Sequence, residues 1–215
     1  MRYLLLIISL FLLSHHSIAQ EVVDSLDAKW NESEIKQQFH FKAGFQTDYS
    51  LGKSYISSAD SPALGFNIQA DWQFYKSFQL GLGMFNTYHK NLDSSVSGLV
   101  EQTNLTGTFI GIGYLIPLSE VWSVSPNIKY ADIKLNQKTA YLNKEFEENA
   151  AMIIIGTSIN YQLNNNISSF IDVEFRQLYY DIDSSPQIQE FYDKDHFLTL
   201  SIGLRYSFFS KKSLF

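Results

Sequence analysis

From Phe39 onward the chain alternates apolar and polar residues with a period of two, the repeat of β-strands whose two faces meet different media. Eight segments carry the pattern. The first sets Phe39, Phe41, Ala43, Phe45, Thr47 and Tyr49 against His40, Lys42, Gly44, Gln46, Asp48 and Ser50. The second sets Leu64, Phe66, Ile68, Ala70, Trp72 and Phe74 against Gly65, Asn67, Gln69, Asp71, Gln73 and Tyr75, and the third sets Phe78, Leu80, Leu82, Met84 and Tyr88 against Gln79, Gly81, Gly83, Phe85, Thr87 and His89. In the fourth, Thr108, Ile110, Ile112, Tyr114 and Ile116 oppose Gly107, Phe109, Gly111, Gly113 and Leu115; in the fifth, which Pro126 weakens, Trp122, Val124, Ile128 and Tyr130 oppose Ser123, Ser125, Asn127 and Lys129. The sixth runs from Ala151 to Gln162, with Ile153, Ile155, Ile159 and Tyr161 against Met152, Ile154, Gly156, Ser158 and Asn160. The seventh sets Ile171, Val173, Phe175 and Tyr179 against Asp172, Glu174 and Arg176, and the eighth Leu198, Leu200, Ile202, Leu204, Tyr206 and Phe208 against Thr199, Ser201, Gly203, Arg205 and Ser207.

The connections alternate. Lys76–Ser77, Pro117–Glu120 and Leu163–Asn165 are short; Leu51–Ala63, Lys90–Gln102, Asn136–Asn149 and Ile182–Asp195 are long and polar. An up-and-down barrel that crosses a membrane has this rhythm, with tight turns on one side and loops on the other. A soluble barrel alternates too, so the direction of the faces has to be decided. The polar faces carry Lys42, Asp48, Asp71, Lys129, Asp172, Glu174, Arg176 and Arg205, four of each sign, and nine of the eleven glycines. Glycine belongs where space is short, and an eight-stranded interior is just wide enough for side chains. The polar face is therefore assigned to the lumen and the bulky face to lipid. Aromatics fall in two belts: Trp72, Phe74, Phe78, Tyr114, Trp122, Tyr161, Tyr206 and Phe208 at the short-turn ends, and Tyr49, Tyr88, Tyr130 and Tyr179 toward the long loops. The expected fold is an all-β, eight-stranded antiparallel up-and-down transmembrane β-barrel.

What precedes the alternation fits export. Arg2, the apolar run Leu4–Leu13 and Ser17-Ile18-Ala19 read as a signal peptide of residues 1–19 cleaved after Ala19. Residues 20–38, polar and acidic, read as a periplasmic leader, 39–209 as the barrel, and 210–215 as a C-terminal tail. With no cysteine, neither disulfides nor thiolate metal sites contribute, and a net charge of -6 argues against nucleic-acid binding.

With the faces assigned, the chain resembles the small outer-membrane β-barrel family, of the OmpX and OmpA-transmembrane-domain type, over residues 39–209. The last strand is the most specific match: Ser201, Gly203, Tyr206 and Phe208 fit the polar-x-Gly-x-x-aromatic-x-aromatic signal that hands such barrels to the assembly machinery. Continuation to Phe215 departs from the family, whose chains end at that strand. The resemblance implies outer-membrane location, outer-membrane lipid and the barrel assembly machinery as partners, and no single activity.

Candidate chemistry is sparse. The eight lumen charges are expected to pair as a structural plug, with contacts among Asp172, Glu174, Arg176 and Arg205 first, rather than to line a selective pore. A lipid-A deacylase or acyltransferase needs a His, a Ser and an acid at the outer rim; His89 and His196, beside Asp195, are the candidates there, while His40 sits at the periplasmic end. Asp181, Asp183, Asp193 and Asp195 cluster near the last long loop without a Gly-anchored calcium pattern. No catalytic residue, cofactor or metal is assigned, and no pattern in the outer loops names a ligand. The leading expectation is a structural or binding barrel acting through its outer loops; the alternatives are a lipid-A-modifying enzyme and a subunit of a secretion or transport complex.

Overall fold

The computed structural model describes residues 38–51, 62–75, 77–90, 100–139, 145–180 and 194–209. The expected signal peptide, residues 20–37 of the leader, the tail, and Asp181, Asp183 and Asp193 lie outside them. The elements are β1 (Gln38–Leu51), β2 (Ala63–Tyr75), β3 (Phe78–Lys90), β4 (Val100–Tyr114), β5 (Ile116–Pro117), β6 (Trp122–Thr139), β7 (Glu145–Gln162), β8 (Ile167–Tyr180) and β9 (Lys194–Phe209). Neighbours in sequence pair antiparallel, β1 pairs β9, and β4 pairs β6, which closes the sheet. The two-residue β5 continues β4 and pairs only with β6, so the barrel has eight staves.

Pro126 explains that break. The Pro126 carbonyl faces Gly113 on β4, so the missing N–H faces the same neighbour; pairing there stops at Gly113–Asn127 and resumes at Ile116–Val124, while the Leu115 N–H donates to the Ser77 carbonyl at 2.8 Å. A similar irregularity between Gln73 and Tyr75 turns Tyr75 out of the barrel, where alternation had placed it inside.

One row of cross-strand partners runs from Phe41 through Ala70, Leu82, Ile110, Tyr130, Ile153, Gln177 and His196 and returns to β1 at Leu51, ten residues further on. With about 3.3 Å per residue and about 4.8 Å between strands, that stagger sets a strand tilt of about 40°. Each residue then climbs about 2.5 Å along the barrel axis, and each step between strands along a row about 3 Å.

The faces point as expected. Phe45 is 78% and Ile202 62% exposed, whereas Arg205 is 7% and Glu174 3% exposed. Charges inside and bulky apolar side chains outside are the architecture of a membrane-spanning barrel, since a soluble barrel reverses the two. Ring pairs mark the short-turn margin: Phe78 with Tyr114 (5.0 Å), Trp122 with Tyr161 (4.8 Å) and Tyr206 with Phe208 (4.6 Å).

Strand lengths depart from the alternation-based expectation. β4 begins at Val100, β9 at Lys194, and the β6–β7 hairpin extends through residues expected to form the third long loop, leaving 140–144 as its connection. Along this extension the faces invert. Below Tyr130 the apolar residues of β6 look outward; above it Ala131, Ile133 and Leu135 are buried inside while Asp132 and Lys134 are exposed. The wall has left the apolar medium and is built there like a water-soluble barrel.

Candidate functional site in the lumen

Inward side chains divide the lumen into a polar chamber toward the short-turn end and an apolar plug toward the other. Period-two geometry delivers Lys42 from β1, Asp71 from β2, Lys129 from β6, Asp172, Glu174 and Arg176 from β8 and Arg205 from β9 to the same axis, all buried. Lys42 donates to both oxygens of Asp172 at 2.9 Å and to Ser158 Oγ at 3.0 Å. Lys129 donates to Glu174 Oε1 at 2.7 Å and to Gln69 Oε1 at 3.0 Å. Arg176 grips Glu174 Oε2 through Nε at 3.0 Å and Nη2 at 2.7 Å, reaches Gln46 Oε1 at 3.1 Å, and lies 3.6 Å from Asp48, which accepts from Thr199 at 2.7 Å. Glu174 therefore serves two cations.

Two of the eight behave differently. Register sets Arg205 opposite Ser168 on β8 and Lys42 on β1, lower in the barrel than Asp172. Its Nη2 lies 2.9–3.0 Å from the ring nitrogens of His40, whose Nδ1 lies 2.9 Å from Ser207 Oγ. The expected contact of Arg205 with Asp172 or Glu174 is thus replaced by His40. Asp71 accepts from Gln69 rather than from a cation at contact distance. Asp71 and Arg205 border a small, partly open polar cavity, with Gln79, Asn127 and Asn160. Arg205 Nε, Asn127 Oδ1 and Asn160 Nδ2 are buried without a hydrogen-bond partner from the described residues.

Within the lumen recurs a unit that sequence reasoning did not single out. Phe85 on β3 lies over Gly107, its partner on β4, and Phe109 on β4 lies over Gly83, its partner on β3; Phe170 covers Gly44 and Gly203. Each ring fills the space of the absent side chain and offers its other face to a cation. Arg176 sits 4.3 Å from the Phe85 centroid, Lys129 4.7 Å from Phe109 and Lys42 4.2 Å from Phe170. The sequence signal was present as Gly83-Met84-Phe85 and Gly107-Thr108-Phe109 on lumen faces. Above these rings, Leu105, Ile133, Leu135, Met152, Ile154, Leu178 and Phe197 close the axis.

The rim histidines do not converge. His89 points inward, fully buried, 3.8 Å from Asp48 and 5.6 Å from the Phe197 ring; His196 points outward onto Phe175. Asp195, one residue away, faces the lumen and accepts from Tyr180 at 2.6 Å. The assembly-signal residues split by face: Ser201 and Gly203 inward, Tyr206 and Phe208 outward.

No protein-family model and no curated protein matches the chain in sequence. Solved structures do. Neisserial surface protein A aligns at a TM-score of 0.55 and 12% identity, covering 80% of this chain and 97% of its own. A major outer membrane protein from Thermus thermophilus aligns at 0.52 and 15%, covering 80% and 99%. The outer membrane protein OprG from Pseudomonas aeruginosa aligns at 0.51 and 11%, covering 82% and 98%. At such identities the likeness is one of fold, and the chain has the fold of the small eight-stranded outer-membrane β-barrel proteins.

Proposed function

We propose that this chain is an exported outer-membrane barrel with a closed lumen, whose structural or binding role is carried at its outer end by the long connections and the β6–β7 hairpin. The observation that carries the reading is the pairing of an apolar exterior with an axis stopped by the Phe85–Phe109–Ile133–Met152 plug. A barrel that conducted solutes would keep a wet axis throughout; among the described residues the buried apolar cluster interrupts it. Export by cleavage after Ala19, insertion through Ser201, Gly203, Tyr206 and Phe208 by the assembly machinery, and solvation by outer-membrane lipid belong to the same proposal. The opposed directions of His89 and His196 support a non-enzymatic role over a lipid-A-modifying one.

Fractionation of cells expressing the chain tests the reading. The protein should enter the outer membrane with Gln20 as its first residue by mass spectrometry, and migrate differently on detergent gels before and after boiling. Migration unaffected by boiling would overturn it. Sustained conductance of the purified protein in planar bilayers would remove the closed lumen.

A further inference from the structure

The outward residues of β9 mark membrane depth along a single strand. From Phe208 through Tyr206, Leu204, Ile202 and Leu200 to Leu198, every outward side chain is apolar or aromatic and exposed, a run spanning ten residue steps. At about 2.5 Å of height per residue the run stands about 25 Å tall, the thickness of the apolar band around an outer-membrane barrel. The next two outward residues are His196 and Lys194, about 5 and 10 Å above Leu198. Their side chains enter the headgroup layer on the long-loop side, where lipid phosphates lie.

Both basic groups rest on rings of β8. Cross-strand register sets Tyr179 opposite Lys194, Gln177 opposite His196 and Phe175 opposite Leu198. Lys194 Nζ lies 5.6 Å from the Tyr179 centroid, and the His196 imidazole stacks on Phe175 at 5.7 Å and 30°. A ring beside each group restricts its rotamers before any ligand arrives, which lowers the ordering cost of binding. Outward neighbours on one strand stand about 6.7 Å apart, so both groups can reach oxygens of one tetrahedral phosphate at hydrogen-bond length. Gln177 adds an amide on the same face. Toward the short-turn side lie exposed Phe175, Leu198 and Leu200, an apolar surface suited to the acyl chain of a lipid and superfluous for a free anion.

Charge sets this wall apart. Among the described residues, the outward positions of β8, β9 and β1 carry Lys194 and His196 and no carboxylate, whereas on the β6–β7 wall Lys134 is bonded to Glu147 at 2.9 Å and Asp132 is the next outward residue. We infer that Lys194 and His196, with Gln177, clamp the phosphate of a lipid in the leaflet on the long-loop side, its acyl chain lying along Phe175, Leu198 and Leu200. A phosphate monoester of the kind lipid A carries fits best, since it brings three acceptor oxygens and a charge of about -1.5 to -2. The clamp rests on the membrane reading above.

Native mass spectrometry of the purified full-length mature protein, released from detergent micelles containing lipid A, tests the clamp. The parent should retain bound lipid A, and Lys194→Gln combined with His196→Gln should lower that retention about tenfold while migration still changes on boiling. Lys194→Arg should keep the lipid, and Lys134→Gln on the β6–β7 wall should leave retention unchanged. Lipid A stripped of its phosphates should bind the parent as weakly as intact lipid A binds the double variant, and inorganic phosphate in large excess should not displace the lipid. Equal retention by parent and double variant, or of lipid A with and without its phosphates, overturns the clamp and leaves the barrel in place. Displacement by inorganic phosphate overturns the lipid as occupant in favour of a free anion. Should the double variant fail to fold, the dephosphorylated lipid decides the matter on the parent alone. A parent whose migration ignores boiling sinks the membrane reading instead, which separates the two failures.

Discussion

Replacing Glu174 by alanine should be among the most damaging single changes in this barrel. Its carboxylate is 3% exposed and holds Lys129 at 2.7 Å and Arg176 at 2.7 and 3.0 Å, so alanine leaves two buried cations facing each other. Breaking a buried pair by removing one partner costs about 3–5 kcal/mol, because the desolvation of the surviving charge is no longer offset. Asp48, 3.6 Å from Arg176, and Gln69, bonded to Lys129, relieve part of the strain, so the expected loss stays within that range instead of doubling. Urea unfolding in phospholipid vesicles, followed by tryptophan fluorescence, measures it. A cycle of Glu174→Gln, Lys129→Met and the double variant isolates the pair, with an expected coupling of about 1–3 kcal/mol. A loss below about 1 kcal/mol for the alanine variant, or strictly additive singles, would show that the lumen charges are solvated, against the buried pairing seen in the lumen.

The same assay reads several further expectations. Gly107→Val puts methyl groups where the Phe85 ring lies, 2.5 Å from the position of a Cβ, and should cost about 1–3 kcal/mol; adding Phe85→Ala should recover part of the loss, and a deeper loss would refute the ring-over-glycine unit. Phe85→Ala with Phe109→Ala thins the plug, so planar-bilayer recordings should show conductance absent from the parent protein; a silent double variant would place the seal elsewhere in the apolar cluster. Lys134→Ala breaks an exposed ion pair and should leave unfolding unchanged within error near neutral pH. The hydrogen bond from Lys134 to Glu147, and the charge of that carboxylate, hold the ammonium above the usual lysine range, so any contribution is complete below the ordinary lysine pKa and fades as pH rises past it. Phe208→Ala should lower the amount of heat-modifiable protein in the outer membrane, whereas deletion of residues 210–215 should not; the reverse pattern would move the assembly signal to Phe215.

How the chain divides its surfaces was legible because side-chain direction in a strand is local: each residue points opposite to its neighbour, and the medium on each side selects the residue type. That logic, together with the crowding of nine glycines and the charges on one face, assigned Arg205 and Glu174 to the axis and Ile202 and Leu204 to the exterior. Partner choice inside the lumen was not legible. Lys42 and Asp172, or Arg205 and His40, lie more than a hundred residues apart, and only the ten-residue stagger of the closed sheet decides which inward groups share a level. The inverted stretch escaped for a related reason. Residues 131–135 keep the period of two, but alternation does not say which set faces in, and the answer changes where the wall passes from lipid to water. The sequence by itself determined strands, faces and closure; the tertiary structure decided the pairs and the plug, because these depend on axial height, which no stretch of chain possesses until the barrel is closed.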